Sequence, residues 1–314
     1  MISVEEALKH VMDNVQLLTP IEKPILDSLG LVIAEDITST ISIPPTDNSG
    51  MDGYAVRSED IRGANPNNPC TLKIIGEVAA GSMPDKVLEP MTAIRVMTGA
   101  TIPMGADTVI KFEDTNDLER INKIKDTENI LIYKSPLKGT AIRKAGEDIQ
   151  PGKTILNIGA KLTPASIGLL ASLGKESILV YPRPKVAIIS SGNELTKPGT
   201  PLGAGHIYDI NTYSLSALIE SYGGTPMIMG IAEDNAESLS KLINGSREAD
   251  LIITSAGVSA GYYDLVKDVI KDYGSISVWS VKMRPGKPVV FGVLDGKKTD
   301  RWDKTVPLIG LPGN

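Results

Sequence analysis

The sequence predicts a multidomain protein of α/β plus β-rich class, with a doubly wound, mostly parallel α/β domain at its C-terminal end and extended and β-rich regions before it. Three observations predict this. In the last third, apolar runs that end in small or acidic residues alternate with helical stretches. Between Thr71 and Ile132, short β-rich runs alternate with turns such as Gly105-Ala106, and the turn Asn67-Asn68-Pro69 precedes them. At 314 residues, 41% of them apolar, the chain exceeds one average domain and can fill real cores.

The elements follow in order. Ser3 and Glu6 form a capping box, and Val4, Ala7, Leu8, Val11, Met12 and Val15 mark one face of a helix running to about residue 15. Pro20 and Pro24 end that regularity, and Leu31 to Pro45 reads as extended. Thr163 and Pro164 are an N-cap and N1 pair for a helix Ala165–Leu173, stopped by Gly174. Tyr181-Pro182-Arg183-Pro184 then reads as a stiff linker and marks the main domain boundary. Beyond it, Lys185–Ser190, Pro226–Ile231, Leu251–Ile253 and Val306–Leu311 are strands. Asn211–Tyr222, stopped by Gly223 and Gly224, and Asn235–Ile243, with Asn235 as N-cap, are the helices between them.

This alternation makes the strands parallel and brings their C-terminal ends to one edge. Three such ends carry a carboxylate: Glu194 after Ser190-Ser191-Gly192-Asn193, Asp234 after Glu233, and Asp264 in LIITSAGVSAGYYD. In the last segment Ser255, Gly257, Ser259 and Gly261 form a small-residue loop in which backbone N–H groups can approach an anion, with a helix start behind it. Asp264 alone fits several roles: cation ligand, hydroxyl partner, heterocycle partner, or a helix residue complementing the dipole. Three carboxylates at equivalent strand ends point to a metal-assisted phosphate or nucleotide site. In the N-terminal half, IPPTDNSGMDGYAV and RVMTGATIPMGADTVI expose Asp47, Asp52, Thr98 and Gly99, and IRKAGEDI clusters Arg143, Lys144, Glu147 and Asp148. Ordinary turn chemistry and a solvated hairpin also account for these stretches.

Composition excludes several classes. One cysteine, Cys70, leaves no intramolecular disulfide and fits a reducing compartment. Two histidines, His10 and His206, are too few for a transition-metal cluster or a histidine triad. No apolar stretch reaches membrane-spanning length, and the acidic N-terminus is unlike a signal or transit peptide, so the expectation is a cytoplasmic protein without a membrane partner. The net charge of −6 and the absence of a basic, aromatic-rich run argue against nucleic acid.

PPTDNSGMDGYAVR, RVMTGATIPMGADTVI, RKAGEDI, SSGNEL, SAGVSAGYYD, MRPGKPVVFG and GLPGN, in that order, resemble the molybdopterin molybdenumtransferase family of the MoeA type, whose eukaryotic relatives include the gephyrin E domain. The MDGYA and GEDI segments separate it from the related adenylyltransferases and competence-damage-inducible proteins. The resemblance implies an elongated linker and dimerisation domain (1–45 with 141–182), an inserted β-rich domain (46–140) and a molybdopterin-binding α/β domain (183–314). It implies molybdate insertion into adenylylated molybdopterin with release of AMP, helped by Mg²⁺. Glu194, Asp234 and Asp264 would be the metal ligands. Gly192, Ser255, Gly257, Ser259 and Gly261 would hold the nucleotide with them, and Asp264 would also be catalytic. Asp52, Thr98, Arg143 and Asp148 would be catalytic groups reaching in from the other subunit of a homodimer. Arg284, Lys287 and Pro288 would serve the molybdate site, with Arg284 standing where many relatives carry Lys. A molybdopterin adenylyltransferase would be the upstream partner.

In the family, the GLPGN loop is followed by a covering helix and a further β domain. The sequence stops at Asn314, so a chain lacking the usual C-terminal β domain is expected. That expectation admits a second reading, a truncated, non-catalytic adenylate-binding dimer or scaffold, and a weaker third, a nucleotide pyrophosphatase on the same α/β domain.

Overall fold

Gly53–Val56 (β1) is buried along its whole length, so both faces of this strand are covered. It lies in a five-stranded sheet with Cys70–Val78 (β2), Thr92–Val96 (β3), Thr108–Lys111 (β4) and Asn129–Ile132 (β5), ordered β4-β1-β3-β2-β5. Strand alternation sorts the side chains onto two cores. Tyr54, Val56, Ala93, Ile110 and Ile130 pack on one face with Ile61, Leu72 and Phe112. Ala55, Ile94, Val96 and Val109 pack on the other with Val78, Leu88 and Ala100. Gly53 stands opposite both Val96 and Lys111. A Cβ there would lie 1.9 Å from the Ile110 carbonyl oxygen, so only glycine lets β1 and β4 meet.

The computed structural model describes residues 1–117, 128–256, 266, 268–270, 274–283, 288–295 and 304–312. The sheet just described belongs to one of two compact units, Asp36–Asn157 with Ser172–Gly174. The other comprises Met1–Glu35, Ile158–Ala171 and Lys175–Asn314.

In this second unit the capping box forms as the sequence predicts: the Ser3 hydroxyl accepts from the Glu6 N–H, and the Glu6 carboxylate accepts from the Ser3 N–H. The helix it starts, Val4–Met12 (α1), is shorter than the expected run to residue 15. Asp13 returns its N–H to the Lys9 carbonyl and the Asn14 amide takes the His10 carbonyl, which closes the last turn and leaves Val15 outside it. Pro164–Ser172 (α2) starts on Thr163, whose hydroxyl accepts from the Ser166 N–H. Ser177–Tyr181 pairs antiparallel with Ile21–Pro24 and with Val32–Ile33. Tyr181 is therefore a strand residue, and the expected linker is confined to Pro182-Arg183-Pro184; periodicity could not reveal partners about 150 residues away.

The α/β sheet is built from Lys185–Ser191 (β6), Thr225–Ala232 (β7), Leu251–Ala256 (β8), Gly274–Ser280 (β9), Pro288–Leu294 (β10) and Val306–Pro312 (β11). Its order is β7-β6-β8-β11-β10-β9. The first four strands are parallel and the β11-β10-β9 run is antiparallel. Asn211–Ser221 (α3) joins β6 to β7, and Ala236–Gly245 (α4) joins β7 to β8. Leu239 and Ile243 of α4 enter a core with Ala187, Ile189, Ile252, Val290 and Leu308. Each fully buried Val, Leu or Ile among these contributes about 1.5–3 kcal/mol. In the parallel register Ser191 aligns with both Ala232 and Ala256, and Ala256 with Pro312, so four strands end level at one edge.

Candidate active site

The level strand ends place Gly192 to Glu194 and Glu233 to Asp234 side by side, as the sequence predicts. The Asp234 carboxylate accepts from the Ser191 hydroxyl at 3.2 Å and from the Asn193 N–H at 3.4 Å, and the Asn193 side chain accepts from the Asp234 N–H at 3.3 Å. These bonds lock the two loops together. Glu194 folds back over Gly192, where a Cβ would come within 2.7 Å of its carboxylate. Gly192 also has φ +151, a region open to glycine. Ser255, at the end of β8, is buried. Gly257, Ser259, Gly261, Asp264, Arg284 and Lys287 lie outside the described residues, and Pro288 opens β10.

Asp209 is a residue that sequence reasoning missed. One carboxylate oxygen accepts from the Ser190 hydroxyl and the Thr212 N–H, both at 3.1 Å, while the Ser190 and Thr212 hydroxyls sit 2.7 Å apart. This buried network ties the start of α3 to the end of β6. The available signal was an aspartate two residues before a helical stretch, a cap pattern displaced by Ile210.

The five-stranded unit gathers the other predicted residues. The Asp52 carboxylate accepts from the Thr98 N–H at 2.6 Å and from the Thr98 hydroxyl at 2.8 Å. The backbone N–H of Thr98, then its hydroxyl, then the charge of Arg95 hold this carboxyl below the ordinary aspartate value. A pocket of about 290 Å³ opens on the pair, lined by Gly50, Met51, Asp52, Thr98, Lys111, Phe112 and Glu113. Lys111 reaches it because β4 pairs with β1 so that Lys111 faces Gly53. Its ammonium has no acidic partner among the described residues. Lys111 and Glu113 are site residues that no motif revealed, since only the register of two strands puts them beside Asp52.

Arg143 and Asp148 meet in an ion pair at 2.5 Å, with Glu147 3.9 Å from the guanidinium. The hydrogen bond from Arg143 to Asp148, and the latter's charge, raise the arginine pKa further. Lys144 bonds Asp47 at 2.7 Å, and the Ala145 N–H adds a second bond at 2.9 Å; together they hold the Asp47 carboxyl low. These segments adjoin the pocket through Gly50, whose N–H donates to Ala141 and whose Cβ position lies 3.7 Å from Arg143 Cγ. The Asp52–Thr98 and Arg143–Asp148 pairs thus lie in one unit and are linked through Gly50.

Oxygen donors at the β6 and β7 ends, Glu194 and Asp234, have the hard chemistry that Mg²⁺ takes. Among the described residues no three His, Cys, Asp or Glu side chains form a ready metal cage. Nor is any described helix long and apolar enough to cross a membrane.

Comparison with known proteins agrees with the motifs. Residues 2–174 match the family model "MoeA N-terminal region (domain I and II)", and residues 187–314 match "Probable molybdopterin binding domain". The chain is 38% identical over 319 residues to molybdopterin molybdenumtransferase 2 of Mycobacterium tuberculosis, covering 99% of this chain and 75% of the relative. It is 35% identical over 316 residues to the molybdopterin molybdenumtransferase of Haemophilus influenzae, covering 100% and 73%. The crystal structure of a molybdopterin biosynthesis MoeA protein from Pyrococcus horikosii superposes with a TM-score of 0.81 at 38% identity, covering all of this chain and 75% of that one. With both family models matched and whole-chain identity to curated enzymes, the chain belongs to the molybdopterin molybdenumtransferase family.

Proposed function

We propose that the chain acts in molybdenum cofactor biosynthesis by inserting molybdenum from molybdate into adenylylated molybdopterin, with release of AMP. The observation that carries this reading is the Asp52–Thr98 pocket beside the Arg143–Asp148 pair, which gathers four dispersed family motif residues in one unit. Its Lys111, with Arg143 of the neighbouring ion pair close by, suits a substrate rich in phosphate and oxyanion charge. In the other unit the interlocked Gly192–Glu194 and Asp234 loops offer backbone and carboxylate groups to an adenylate. Glu194 and Asp234, with Asp264, would hold Mg²⁺, whose charge would neutralise the pyrophosphate. Asp52, kept ionised by Thr98, is poised to orient a polar group of the substrate through its charge.

The same reading makes the protein cytoplasmic and homodimeric, with domains as the family implies and its substrate supplied by a molybdopterin adenylyltransferase. The test is AMP release from adenylylated molybdopterin in Mg²⁺, with and without molybdate. Molybdate-stimulated release that falls at least about a hundredfold in Asp52→Asn is expected. Bound substrate with no AMP release in the wild type would sink the proposal.

A further inference from the structure

At the opposite edge of the six-stranded sheet, where β6 and β7 begin, lies a cavity of about 320 Å³. Pro182, Arg183 and Pro184 lead into β6, and Tyr222 and Gly223 precede β7; Val32 and Tyr181 of the three-stranded sheet, the Gly30-Leu31 turn before it, Lys161 and the segment 15–18 after α1 line the rest. Seven residues of β6 separate this edge from the carboxylate edge, about 20 Å at strand rise. The walls are apolar and aromatic, while two cations stand among them.

The placement of Arg183 is specific. Its guanidinium lies between two turns, 3.5 Å from where a Cβ of Gly30 would stand and 4.0 Å from that of Gly223, and both glycines have positive φ. A side chain at either turn would be strained, and at Gly30 it would touch the guanidinium. Neither Arg183 nor Lys161 has an acidic partner among the described residues, although the chain as a whole carries −6. Both cations are exposed and solvated by water, but they stand at the rim of an apolar cavity, where a carboxylate or sulfonate whose apolar part enters the cavity can accept charge-assisted hydrogen bonds from them. The volume lies at the small end of ligand pockets, which suits a small molecule rather than a peptide or folded partner.

We propose that this cavity binds a small amphiphilic monoanion, its apolar body against Tyr181, Pro182 and Tyr222 and its charged head on Arg183 and Lys161. The site is independent of the nucleotide and molybdate chemistry proposed above.

The test uses the anionic dye 8-anilinonaphthalene-1-sulfonate in a fluorescence titration, with decanoate and decyltrimethylammonium as competitors of equal chain length. Saturable binding displaced by decanoate but not by the cation is expected. Arg183→Gln should weaken it about tenfold, the scale of one charge-assisted hydrogen bond. Tyr222→Ala, at a residue 84% exposed and so tolerant of truncation, gives a second reading should Arg183→Gln fail to fold. Leu8→Glu on α1 controls for dye bound to that exposed apolar face. Equal displacement by both competitors, dye affinity unchanged in the cavity variants, or loss of binding in Leu8→Glu would overturn the assignment.

Discussion

Asp52 shows how local donors set the chemistry of a single side chain. Its carboxylate is largely exposed, so burial does little; two donors from one residue, the Thr98 N–H and hydroxyl, stabilise the ionised form. A carboxyl whose folded pKa lies below its unfolded value, about 3.9, contributes stability that is present above that value and lost as pH falls through the folded one. Thr98→Val deletes the hydroxyl and keeps the N–H. The Asp52 pKa should then rise yet stay below the ordinary aspartate value, and carboxyl ¹³C titration by NMR reads this directly. An unmoved titration would show that the hydroxyl contributes nothing to the site. Asp52 and Thr98 were legible in the sequence because each sits in a long motif. Lys111 was not, because the residue is ordinary and only pairing with Gly53 gives it a role.

Elements were most legible where a local rule specifies them. The capping box of α1, the Thr163 cap of α2 and the Asn235 cap of α4, whose side chain accepts from the Ser238 N–H, rest on residues three apart. The small antiparallel sheet joining Ile21–Pro24, Ser177–Tyr181 and Val32–Ile33 was not legible, because its partners are distant in sequence and its strands short. The antiparallel β11-β10-β9 run likewise follows no helix-strand alternation. Gly53 shows what such pairing demands of one residue. Gly53→Ala would drive a Cβ to 1.9 Å from one backbone oxygen and 2.9 Å from Lys111 Cα, with no flexible side chain to yield. A loss of about 3 kcal/mol or more is expected by denaturant unfolding, together with a displaced β4 and loss of the Asp52 pocket. A loss under about 1 kcal/mol would mean that β1 and β4 separate easily.

At the scale of the whole molecule, helix α1 presents an amphipathic surface with no inward partner among the described residues. Helix α1 buries none of its residues, and Val4, Leu8 and Met12 are each about half exposed or more, although the capping box holds the helix in shape. Apolar side chains at helical spacing, left in solvent, are the physical signature of a face made for another molecule. A second copy of the chain is the occupant the proposed homodimer requires. A C2 contact would set α1 against its own equivalent, since each copy offers the same patch. Leu8→Glu combined with Met12→Glu introduces two charges on that face while leaving Ser3 and Glu6 untouched. Sedimentation equilibrium should find the wild type dimeric and the double variant monomeric, with unchanged far-UV circular dichroism. If Asp52, Thr98, Arg143 and Asp148 serve the partner's adenylate, the monomer should also bind adenylylated molybdopterin yet release AMP slowly. A monomer with full release would confine the catalytic groups to one chain, and a variant that remains dimeric would move the interface away from α1.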